Sequence, residues 1–379
     1  MSCDCENICG GCPLRNLGEE DYRRHKQAFF AQVLSRIKQA DIKTGTPIFI
    51  ADGTRRRASL AFRRTKGEIM LGFNVAQSRE ICPIENCALL TPALNAVLPR
   101  IRALLQELCR QPQVIKKGKK QLTRYIEGGD VWLCQAEGGI DVVLEYDEPL
   151  DLNARMVIFE MAQSWADVIR ISHRRNPSDR CEPLIEKSKP FVNIGGYHVY
   201  IPAGTFLQPS FEGEQALTSL VMHYLGDTKG AIADLFCGVG TFSYHLCRDT
   251  ARKITAVDSS AELLNGFQDS VNKNMISNVT VKCRNLFKYP LDAGELSGFA
   301  AVVFDPPRAG AAAQVAQLAA AAQTSAFPHK VIAVSCNPNT FVNDADTLIS
   351  AGYHLDEVTF VDQFVYSNHS EIVALFTKG

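Results

Sequence analysis

The sequence predicts an α/β protein in which an N-terminal mixed α+β domain precedes a C-terminal, doubly wound, Rossmann-like domain. From about residue 190, short apolar runs alternate with helical stretches, the pattern of a parallel sheet covered by helices. Before residue 185, strands and helices are mixed without that alternation. Four cysteines lie within the first twelve residues, which indicates a cysteine-ligated cluster in the N-terminal domain. We therefore expect domains at 1–185 and 190–379, with a proline- and arginine-rich linker at 174–190.

Composition excludes several classes of protein. The chain has 379 residues, 46% of them hydrophobic, and a net charge of −1, which rules out disordered and collagen-like chains. Its apolar runs fall short of the roughly 18 residues that a membrane helix needs. The first residues carry neither the basic nor the apolar segment of a secretory signal. We therefore expect a cytoplasmic protein without a membrane partner.

Local periodicity predicts the elements of the N-terminal domain. Apolar residues at 30, 33, 34 and 37 form a helical stripe within 20–40. An arginine-rich extended run and a second apolar run predict a hairpin at 54–75, turning at Lys66 and Gly67. The further predictions are a helix at 92–110, a polar breaker at 116–120, and strands within 130–146 and 165–172.

The C-terminal domain is predicted as alternating strands and helices. The apolar runs predict strands at 231–236, 253–257, 279–282, 300–304, 331–334, 354–361 and 371–376. Helices are expected after the first glycine turn, at 261–274 and at 311–326. Because parallel strands end at one edge of the sheet, residues that follow these strands should share a ligand-binding crevice.

Basic residues concentrate in one part of the nearly neutral chain. Residues 51–130 contain fifteen lysines and arginines against seven acidic residues, a local balance of +8. A polyanion such as RNA would bind such a region. A solvated basic face explains the same charges equally well, so the charge alone leaves both interpretations open.

A glycine turn follows the first C-terminal strand, in Asp234-Leu235-Phe236-Cys237-Gly238-Val239-Gly240. Glycines such as Gly238 let the backbone approach a ligand, and Asp258 ends the next strand, where an acid can bind a ribose diol. Ser243 replaces the third glycine of a dinucleotide-binding turn, which weakens the case for a bound pyrophosphate. The pattern therefore favours S-adenosylmethionine over a nicotinamide cofactor, with a purely structural turn as the alternative.

Two further strand ends carry reactive residues. Asp305-Pro306-Pro307-Arg308 follows the fourth strand, and Arg308 stands where enzymes that methylate amino groups usually have an aromatic residue. Cys336 follows the fifth strand at the same predicted edge. A thiolate that adds to C6 of uracil makes C5 nucleophilic enough to accept a methyl group, and a base must then remove the C5 proton. Glu371 is the candidate base, with His369 nearby, although a glutamate in such a place is ordinarily a surface charge.

The N-terminal cysteines predict a metal cluster. Thirteen cysteines in a chain without an export signal argue against a disulfide framework. Cys3, Cys9 and Cys12 with Cys82 as a distant fourth ligand form a candidate set for a 4Fe-4S cluster. Cys5 and Cys87 compete for that fourth position, and spacing does not exclude zinc.

Together these motifs resemble the bacterial RNA uridine-5 methyltransferase family, the S-adenosylmethionine-dependent enzymes that form 5-methyluridine in ribosomal or transfer RNA. The resemblance covers nearly the whole chain. The matching segments are Cys3-x5-Cys9-Gly10-Gly11-Cys12, Arg55-Arg56-Arg57-Ala58, Leu71-Gly72-Phe73, Cys82-Pro83, Phe206-Leu207-Gln208, Asp234-Leu235-Phe236-Cys237-Gly238, Asp305-Pro306-Pro307-Arg308, Ser335-Cys336-Asn337-Pro338 and His369-x-Glu371.

The resemblance implies a role for each site residue. Cys336 is implied as the nucleophile at C6 and Glu371 as the base. The residues implied to line the cofactor site are Gln208, Phe236, Gly238, Asp258 and Asp305, with Asn285 near the adenine. Cys3, Cys9, Cys12 and Cys82 are implied to hold the 4Fe-4S cluster. The chain would be a monomeric variant without the N-terminal oligonucleotide-binding barrel of some members, and ribosomal RNA is favoured over transfer RNA as its partner.

The chain departs from the family pattern at three places. Ser210 stands where asparagine is usual, Asp258 where glutamate is commoner, and residues 364–368 replace the usual Phe-Pro-x-Thr. These departures motivate an alternative function, an RNA-binding iron–sulfur protein whose catalytic half has decayed.

Overall fold

The computed structural model describes residues 3, 5–6, 8–117, 120–148 and 150–379. It divides into two compact units. The first unit contains Met1–Asn16, Ala51–Val192 and Ile201–Ser210, and the second contains Leu17–Ile50, Asn193–Tyr200 and Phe211–Gly379. This division differs from the single boundary that the sequence predicts, because an N-terminal segment joins the C-terminal sheet.

The five predicted helices lie close to their predicted positions, and the described residues contain four more that the sequence does not predict. Their bounds are α1 (Glu19–Leu34), α2 (Pro92–Arg110), α3 (Leu152–Ala162), α4 (Phe211–Leu225), α5 (Ser243–Leu246), α6 (Ala261–Lys273), α7 (Ala293–Leu296), α8 (Ala312–Ala321) and α9 (Pro338–Ser350). Helix α2 begins at a proline after Thr91, whose hydroxyl accepts a hydrogen bond from the Leu94 amide. Within the described part of the chain, no helix combines the length and apolarity that crossing a membrane requires.

The described strands include eight that the sequence does not predict as strands. Their bounds are β1 (Lys43–Thr44), β2 (Ile48–Phe49), β3 (Arg57–Thr65), β4 (Glu68–Asn74), β5 (Ile81–Pro83), β6 (Gln113–Lys117), β7 (Lys120–Arg124), β8 (Gly128–Ala136), β9 (Gly139–Glu145), β10 (Val168–Arg174), β11 (Glu182–Glu186), β12 (Phe191–Ile194), β13 (Tyr197–Tyr200), β14 (Gly230–Leu235), β15 (Arg252–Asp258), β16 (Val279–Cys283), β17 (Ala301–Phe304), β18 (Lys330–Ser335), β19 (His354–Asp362) and β20 (Glu371–Thr377). The predicted breaker at 116–120 coincides with the antiparallel pair β6 and β7, and its Gly118 and Lys119 lie outside the described residues.

The first unit is built on a mixed sheet in the order β11-β10-β9-β8-β3-β4-β5. The predicted β3–β4 hairpin is confirmed, and both turn residues, Lys66 and Gly67, have positive φ, as this turn type requires. The predicted linker at 174–190 is partly wrong, because β11 pairs antiparallel with β10 inside it. Its prolines did not prevent pairing, since an edge strand tolerates a missing backbone donor.

The second unit contains the predicted doubly wound sheet, in the order β1-β19-β20-β18-β17-β14-β15-β16. Strands β14 to β18 are parallel, whereas β20 lies antiparallel between β18 and β19. An antiparallel strand begins at the edge where its parallel neighbours end. The first residue of β20 therefore lies at the carboxyl edge of the sheet, the edge that carries ligand sites in α/β proteins.

Helix α1 belongs to this second unit because its apolar stripe is part of the sheet's core. Phe30, Val33 and Ile37 are buried with Phe360 of β19, and the rings of Phe30 and Phe360 lie 5.5 Å apart. Strands β1 and β2 follow α1 and pair in parallel with β19. The helical stripe was predictable, but the sheet that buries it was not.

Candidate active site

Strand register brings Cys336 and Glu371 to the same point of the sheet edge. Ser335 at the end of β18 pairs with Ile372 of β20. The next residue in each direction is Cys336 on one strand and Glu371 on the other, so the antiparallel register sets them opposite each other. Asp305 follows β17, the parallel neighbour of β18. The charges of Glu371 and Asp305 both act on the Cys336 thiol, as expected for a single cluster.

Glu371 is a buried carboxylic acid, and one of its two oxygens accepts a hydrogen bond. The residue is 3% exposed, and the Gln363 side-chain amide donates a 2.9 Å hydrogen bond to Oε1. Oε2 has no hydrogen-bond partner among the described residues. Burial raises the pKa of Glu371 well above its usual value, and the charge of Asp305 raises it further, against the lowering effects of Gln363 and Arg308. Such a carboxylate accepts a proton more readily than a solvated one.

The Cys336 thiol is half-buried and protonated at neutral pH. Burial is the main cause that raises its pKa to about 12, followed by the negative charges of Glu371 and Asp305. Arg308 acts in the opposite direction. A ligand that brings positive charge or hydrogen-bond donors to this edge would favour the thiolate, which is the nucleophilic form.

Asn337 ties the Cys336 strand end to the turn that follows Asp305. Its side-chain oxygen caps α9 by accepting from the Asn339 amide at 3.1 Å, and its amide donates to the Arg308 carbonyl at 2.8 Å. Pro338 is the first residue of the helix, where a proline costs no hydrogen bond. The Asn-Pro pair that follows the cysteine therefore fixes two loops of the site relative to each other.

The glycine turn after β14 is held by side-chain hydrogen bonds that the sequence did not reveal. Ser243, the residue that interrupts the dinucleotide pattern, is buried and donates a 2.5 Å hydrogen bond to Asp234. Asp258 accepts hydrogen bonds from the Gly238 amide at 3.0 Å and the Ser260 amide at 2.9 Å. Gly240 has φ of +94°, and a Cβ there would lie 2.6 Å from the Phe267 ring. The hydrogen bonds to Asp234 and Asp258 and the close approach of Phe267 together hold the turn in one conformation.

Phe236 and Asn285 lie on neighbouring loops of the same edge. Phe236 adopts a positive φ of 60°, which is costly for a residue with a bulky side chain, and its ring lies 5.4 Å from that of Phe287. Asn285 directs its side-chain oxygen to the amides of Phe287 and Lys288, so it orders the loop that carries Phe287. Phe287 is an exposed aromatic residue of this edge that the sequence analysis missed.

Gln208, the remaining predicted cofactor residue, belongs to the first unit. Its side chain is buried, and its carbonyl accepts a 3.1 Å hydrogen bond from Arg56 Nε. The second unit thus brings together Cys336, Glu371, Asp305, Gly238 and Asp258 at one sheet edge, and Phe236 and Asn285 beside them. Gln363 and Arg308 are further members of this edge, and a polar residue next to a strand end was the signal that could have found Gln363.

Comparison with known proteins identifies the family. The model of the tRNA (Uracil-5-)-methyltransferase family matches residues 290–379, the part that contains Asp305, Cys336 and Glu371. An uncharacterized RNA methyltransferase of Agrobacterium fabrum is 33% identical over 371 residues, which cover 98% of this chain and 82% of that protein. One from Mesorhizobium japonicum is 35% identical, with the same coverage. The chain belongs to the RNA uracil-5-methyltransferase family.

Two further relatives of the family are informative. The 23S rRNA (uracil(1939)-C(5))-methyltransferase RlmD of Vibrio campbellii is 27% identical and covers this whole chain and 82% of that protein. The crystal structure of the Pyrococcus abyssi tRNA (uracil-54, C5)-methyltransferase in complex with S-adenosyl-L-homocysteine superposes with a TM-score of 0.72. It is 21% identical and covers 98% of this chain and 86% of that one, so it confirms the fold.

In this member of the family, the N-terminal cysteines line one cavity of the first unit. The cavity has a volume of about 240 Å³. Its cysteine lining consists of Cys3, Cys5, Cys9, Cys12 and Cys87, and Arg15 and Arg55 also face it. Burial raises the pKa of the thiols of Cys9, Cys12 and Cys87, and the nearby cysteines raise it further.

The predicted fourth ligand, Cys82, lies elsewhere. It is buried in β5 and is absent from the described lining of the cavity, whereas Cys87 belongs to that lining. Among the described residues, no three ligand-type side chains already stand in a metal-binding arrangement. The donor chemistry of the cavity fits an iron–sulfur cluster or zinc, since both are held by thiolates.

The three consecutive arginines of the basic region point into the first unit. Arg55 faces the cysteine cavity, Arg56 is buried against the Gln208 carbonyl, and Arg57 stacks on the Phe206 ring at 3.9 Å. Burial lowers the pKa of Arg57 to about 10. These three side chains therefore contribute to the packing of the first unit. Exposed basic residues such as Arg63, Arg79 and Arg124 are the ones available to bind a polyanion.

Proposed function

We propose that this chain transfers a methyl group from S-adenosylmethionine to C5 of a uridine in structured ribosomal RNA. The observation that carries the proposal is the register that sets Cys336 opposite Glu371 at the carboxyl edge of the sheet. A thiol and a buried carboxylate are the two groups that methylation at C5 of a pyrimidine requires. The similarity to RlmD supports ribosomal RNA as the substrate class.

Cys336 begins the reaction by adding to C6 of the uracil ring. Its thiol must first lose a proton, which the high pKa disfavours until the substrate fills the site. Formation of the C6–S bond moves an electron pair toward C5 and makes that carbon nucleophilic. S-adenosylmethionine, when bound, supplies the methyl group as an electrophilic sulfonium, and C5 accepts it.

Glu371 ends the reaction by removing the proton from C5. The electron pair of the C5–H bond then restores the C5–C6 double bond, the C6–S bond breaks, and Cys336 leaves as a thiolate. The free Oε2 of Glu371 is the atom that would take this proton, while Gln363 holds Oε1. Burial keeps water away from the carboxylate and raises its affinity for the proton.

The cofactor would lie over the glycine turn. Gly238 has open space where a Cβ would project, which leaves room for a ligand against the backbone. Asp258 at the end of β15 would face the ribose, Asn285 and the Phe236–Phe287 pair would border the adenine, and Asp305 would line the methionine end. Gln208 is proposed as a further contact, as the family resemblance implies.

Cys3, Cys9, Cys12 and Cys87 would hold a 4Fe-4S cluster in the cysteine cavity. Cys87 replaces Cys82 in this proposal because it faces the cavity. Arg55 would offset the negative charge that four thiolates bring. The cluster would link the N-terminal segment to the loop that precedes α2 and thereby stabilise the first unit.

The first experiment measures 5-methyluridine by nucleoside mass spectrometry in ribosomal and transfer RNA from the parent strain and from a strain lacking this gene. Loss from ribosomal RNA, restored by the wild-type gene but not by Cys336→Ala, is the expected result. Loss from transfer RNA alone would change the substrate class. Unchanged 5-methyluridine in both fractions, with tight RNA binding by the purified protein, would support the decayed RNA-binding protein instead.

A further inference from the structure

Lys26 of α1 is a buried cation with three partners in the segment that leads to Glu371. Its side chain is 2% exposed, and Nζ lies 3.0 Å from Asp362 Oδ1. The same ammonium donates hydrogen bonds to the carbonyl of Ser367 at 3.0 Å and to that of His369 at 2.6 Å. An ammonium group is strongly disfavoured in a protein interior unless such partners surround it.

Tyr22, one helical turn earlier, contacts the same segment. Its hydroxyl donates to Asp362 and accepts a 2.8 Å hydrogen bond from the Tyr366 amide. The rings of Tyr22 and Tyr366 lie 4.9 Å apart, and Tyr366 adopts a positive φ of 58°. A left-handed tyrosine is costly and persists when surrounding contacts impose it, as these two do.

These contacts hold both ends of the segment 362–369, which leads to Glu371, the proposed base. At the start, Asp362 is bound by Tyr22 and Lys26, and the next residue, Gln363, donates to Glu371. At the end, the carbonyl of His369 is bound two residues before Glu371. We name the group Tyr22, Lys26 and Asp362 the α1 anchor.

Packing does not require the α1 anchor. Helix α1 is already held on the sheet by Phe30, Val33 and Ile37, and a buried ion pair is often no more stabilising than apolar residues of the same size. What the anchor adds is geometry, because it fixes the segment before Glu371 both at Asp362 and at the carbonyl of His369, two residues from the carboxylate. A carboxylate that must reach one C–H proton needs such fixed geometry.

We propose that Tyr22 and Lys26 are positioning residues that hold Glu371 against the C5 proton of the methylated adduct. The inference rests on the proposed function, since it assigns Glu371 the proton-removal step. It places the anchor's main effect on that step: formation of the C6–S bond and methyl transfer are carried out by Cys336 and the cofactor, and Glu371 affects Cys336 there only through its charge. A displaced Glu371 would leave the C5 proton in place, so the methylated RNA would stay bonded to Cys336.

The test separates adduct formation from adduct breakdown. Purified protein is mixed with ribosomal RNA from a strain lacking the gene and with S-adenosylmethionine labelled in its methyl group. After denaturation and nuclease digestion, label on protein measures the adduct, and label in free nucleosides measures the product. In Lys26→Met, which keeps the side-chain length and removes the charge, we expect breakdown to slow about 10- to 100-fold while the adduct forms at a near wild-type rate.

Four further variants calibrate this result. Glu371→Gln should trap the adduct most strongly, and the Cys336→Ala background should retain no label on protein. Arg24→Met is the matched control, because Arg24 lies on the same helix with 74% of its side chain exposed. Tyr22→Phe removes one hydroxyl and no charge, so it tests the anchor even if Lys26→Met does not fold, as judged by binding of S-adenosylhomocysteine.

The outcomes distinguish the two proposals. Trapping in Glu371→Gln with wild-type breakdown in folded Lys26→Met and Tyr22→Phe would overturn the positioning role and leave the proposed function intact. Equal loss of adduct formation and breakdown in the anchor variants would also overturn it, since a general structural defect affects both steps. Turnover without any protein-bound label in Glu371→Gln would instead refute the proposed covalent reaction.

Discussion

Cys336 and Glu371 face each other across the antiparallel pair of β18 and β20, and the Glu371 carboxylate raises the pKa of the Cys336 thiol. The two groups are therefore electrostatically opposed in the free protein, since ionisation of either disfavours ionisation of the other. Substrate binding has to relieve this opposition before the thiolate can form.

Neutralising Glu371 should make Cys336 more reactive. In Glu371→Gln the thiol loses a negative neighbour, so its pKa falls and its alkylation by iodoacetamide at about pH 8 should accelerate several-fold. Arg308→Ala should slow alkylation, because Arg308 lowers the pKa of Cys336. Peptide mass spectrometry would follow the site, with the exposed Cys283 as internal reference. Equal rates at Cys336 in all three proteins would contradict the electrostatic coupling.

Asp234 should make stability fall as pH rises. Burial raises the pKa of its carboxyl to about 7, so the folded protein binds this proton more tightly than the unfolded chain does. The free energy of unfolding should therefore decrease between the unfolded pKa, about 4, and about pH 7. Urea unfolding should show that Asp234→Asn, which cannot ionise, gains about 2 kcal/mol relative to wild type between about pH 5 and pH 8.

Ser243→Ala provides the opposite change at the same site. The Ser243 hydroxyl lowers the pKa of Asp234 by hydrogen bonding to it, so its removal should raise that pKa and extend the loss of stability to higher pH. A pH dependence that is the same in wild type, Asp234→Asn and Ser243→Ala would show that Asp234 is already ionised in the folded protein.

Two glycines of one turn should respond differently to alanine. Gly240→Ala places a Cβ 2.6 Å from Phe267 at positive φ and should reduce the free energy of unfolding by about 3 kcal/mol. Gly238→Ala has positive φ but open space, so its cost should be about 1 kcal/mol. Calorimetric titration should show weaker S-adenosylhomocysteine binding for Gly238→Ala. A larger stability loss at Gly238 than at Gly240 would contradict this geometry.

Cys87 and Cys82 provide a matched pair for the cluster. Cys87→Ser should lose most of the iron and the brown colour of protein purified without oxygen, because Cys87 faces the cysteine cavity. Cys82→Ser, in β5, should retain them. The reverse pattern in iron and sulfide analysis would restore Cys82 as the ligand. Zinc in place of iron in the wild-type protein would replace the cluster with a structural zinc site.

Exposed arginines of the first unit should carry the salt dependence of RNA binding. Arg63→Ala and Arg124→Ala should each reduce the slope of log K against log salt by about 1, since each removes one phosphate contact. Lys38→Ala, whose side chain is 76% exposed in the second unit, is the control. Filter binding of ribosomal RNA over a salt series measures the slope. An unchanged slope in both arginine variants would remove this region from the interface.

The sequence alone was sufficient for much of the site. Asp305 and Cys336 follow apolar runs that are recognisable as buried strands, and consecutive parallel strands end at one edge, so their proximity was predictable. Cys87 was harder to predict in this way, because Cys82 and Cys87 lie only five residues apart and both are far along the chain from the N-terminal cysteines. Which thiol faces the cavity depends on how the chain leaves β5.

Sequence periodicity determined the strands of the doubly wound sheet, and motifs at the strand ends singled out the candidate reactive residues, because each leaves a signal within a few neighbouring positions. The tertiary structure decided which sheet buries α1, and it paired Lys26 with Asp362. Such a pairing has no local signature: a lysine in an amphipathic helix is ordinarily solvated, and burial by a strand more than three hundred residues away makes it an anchor.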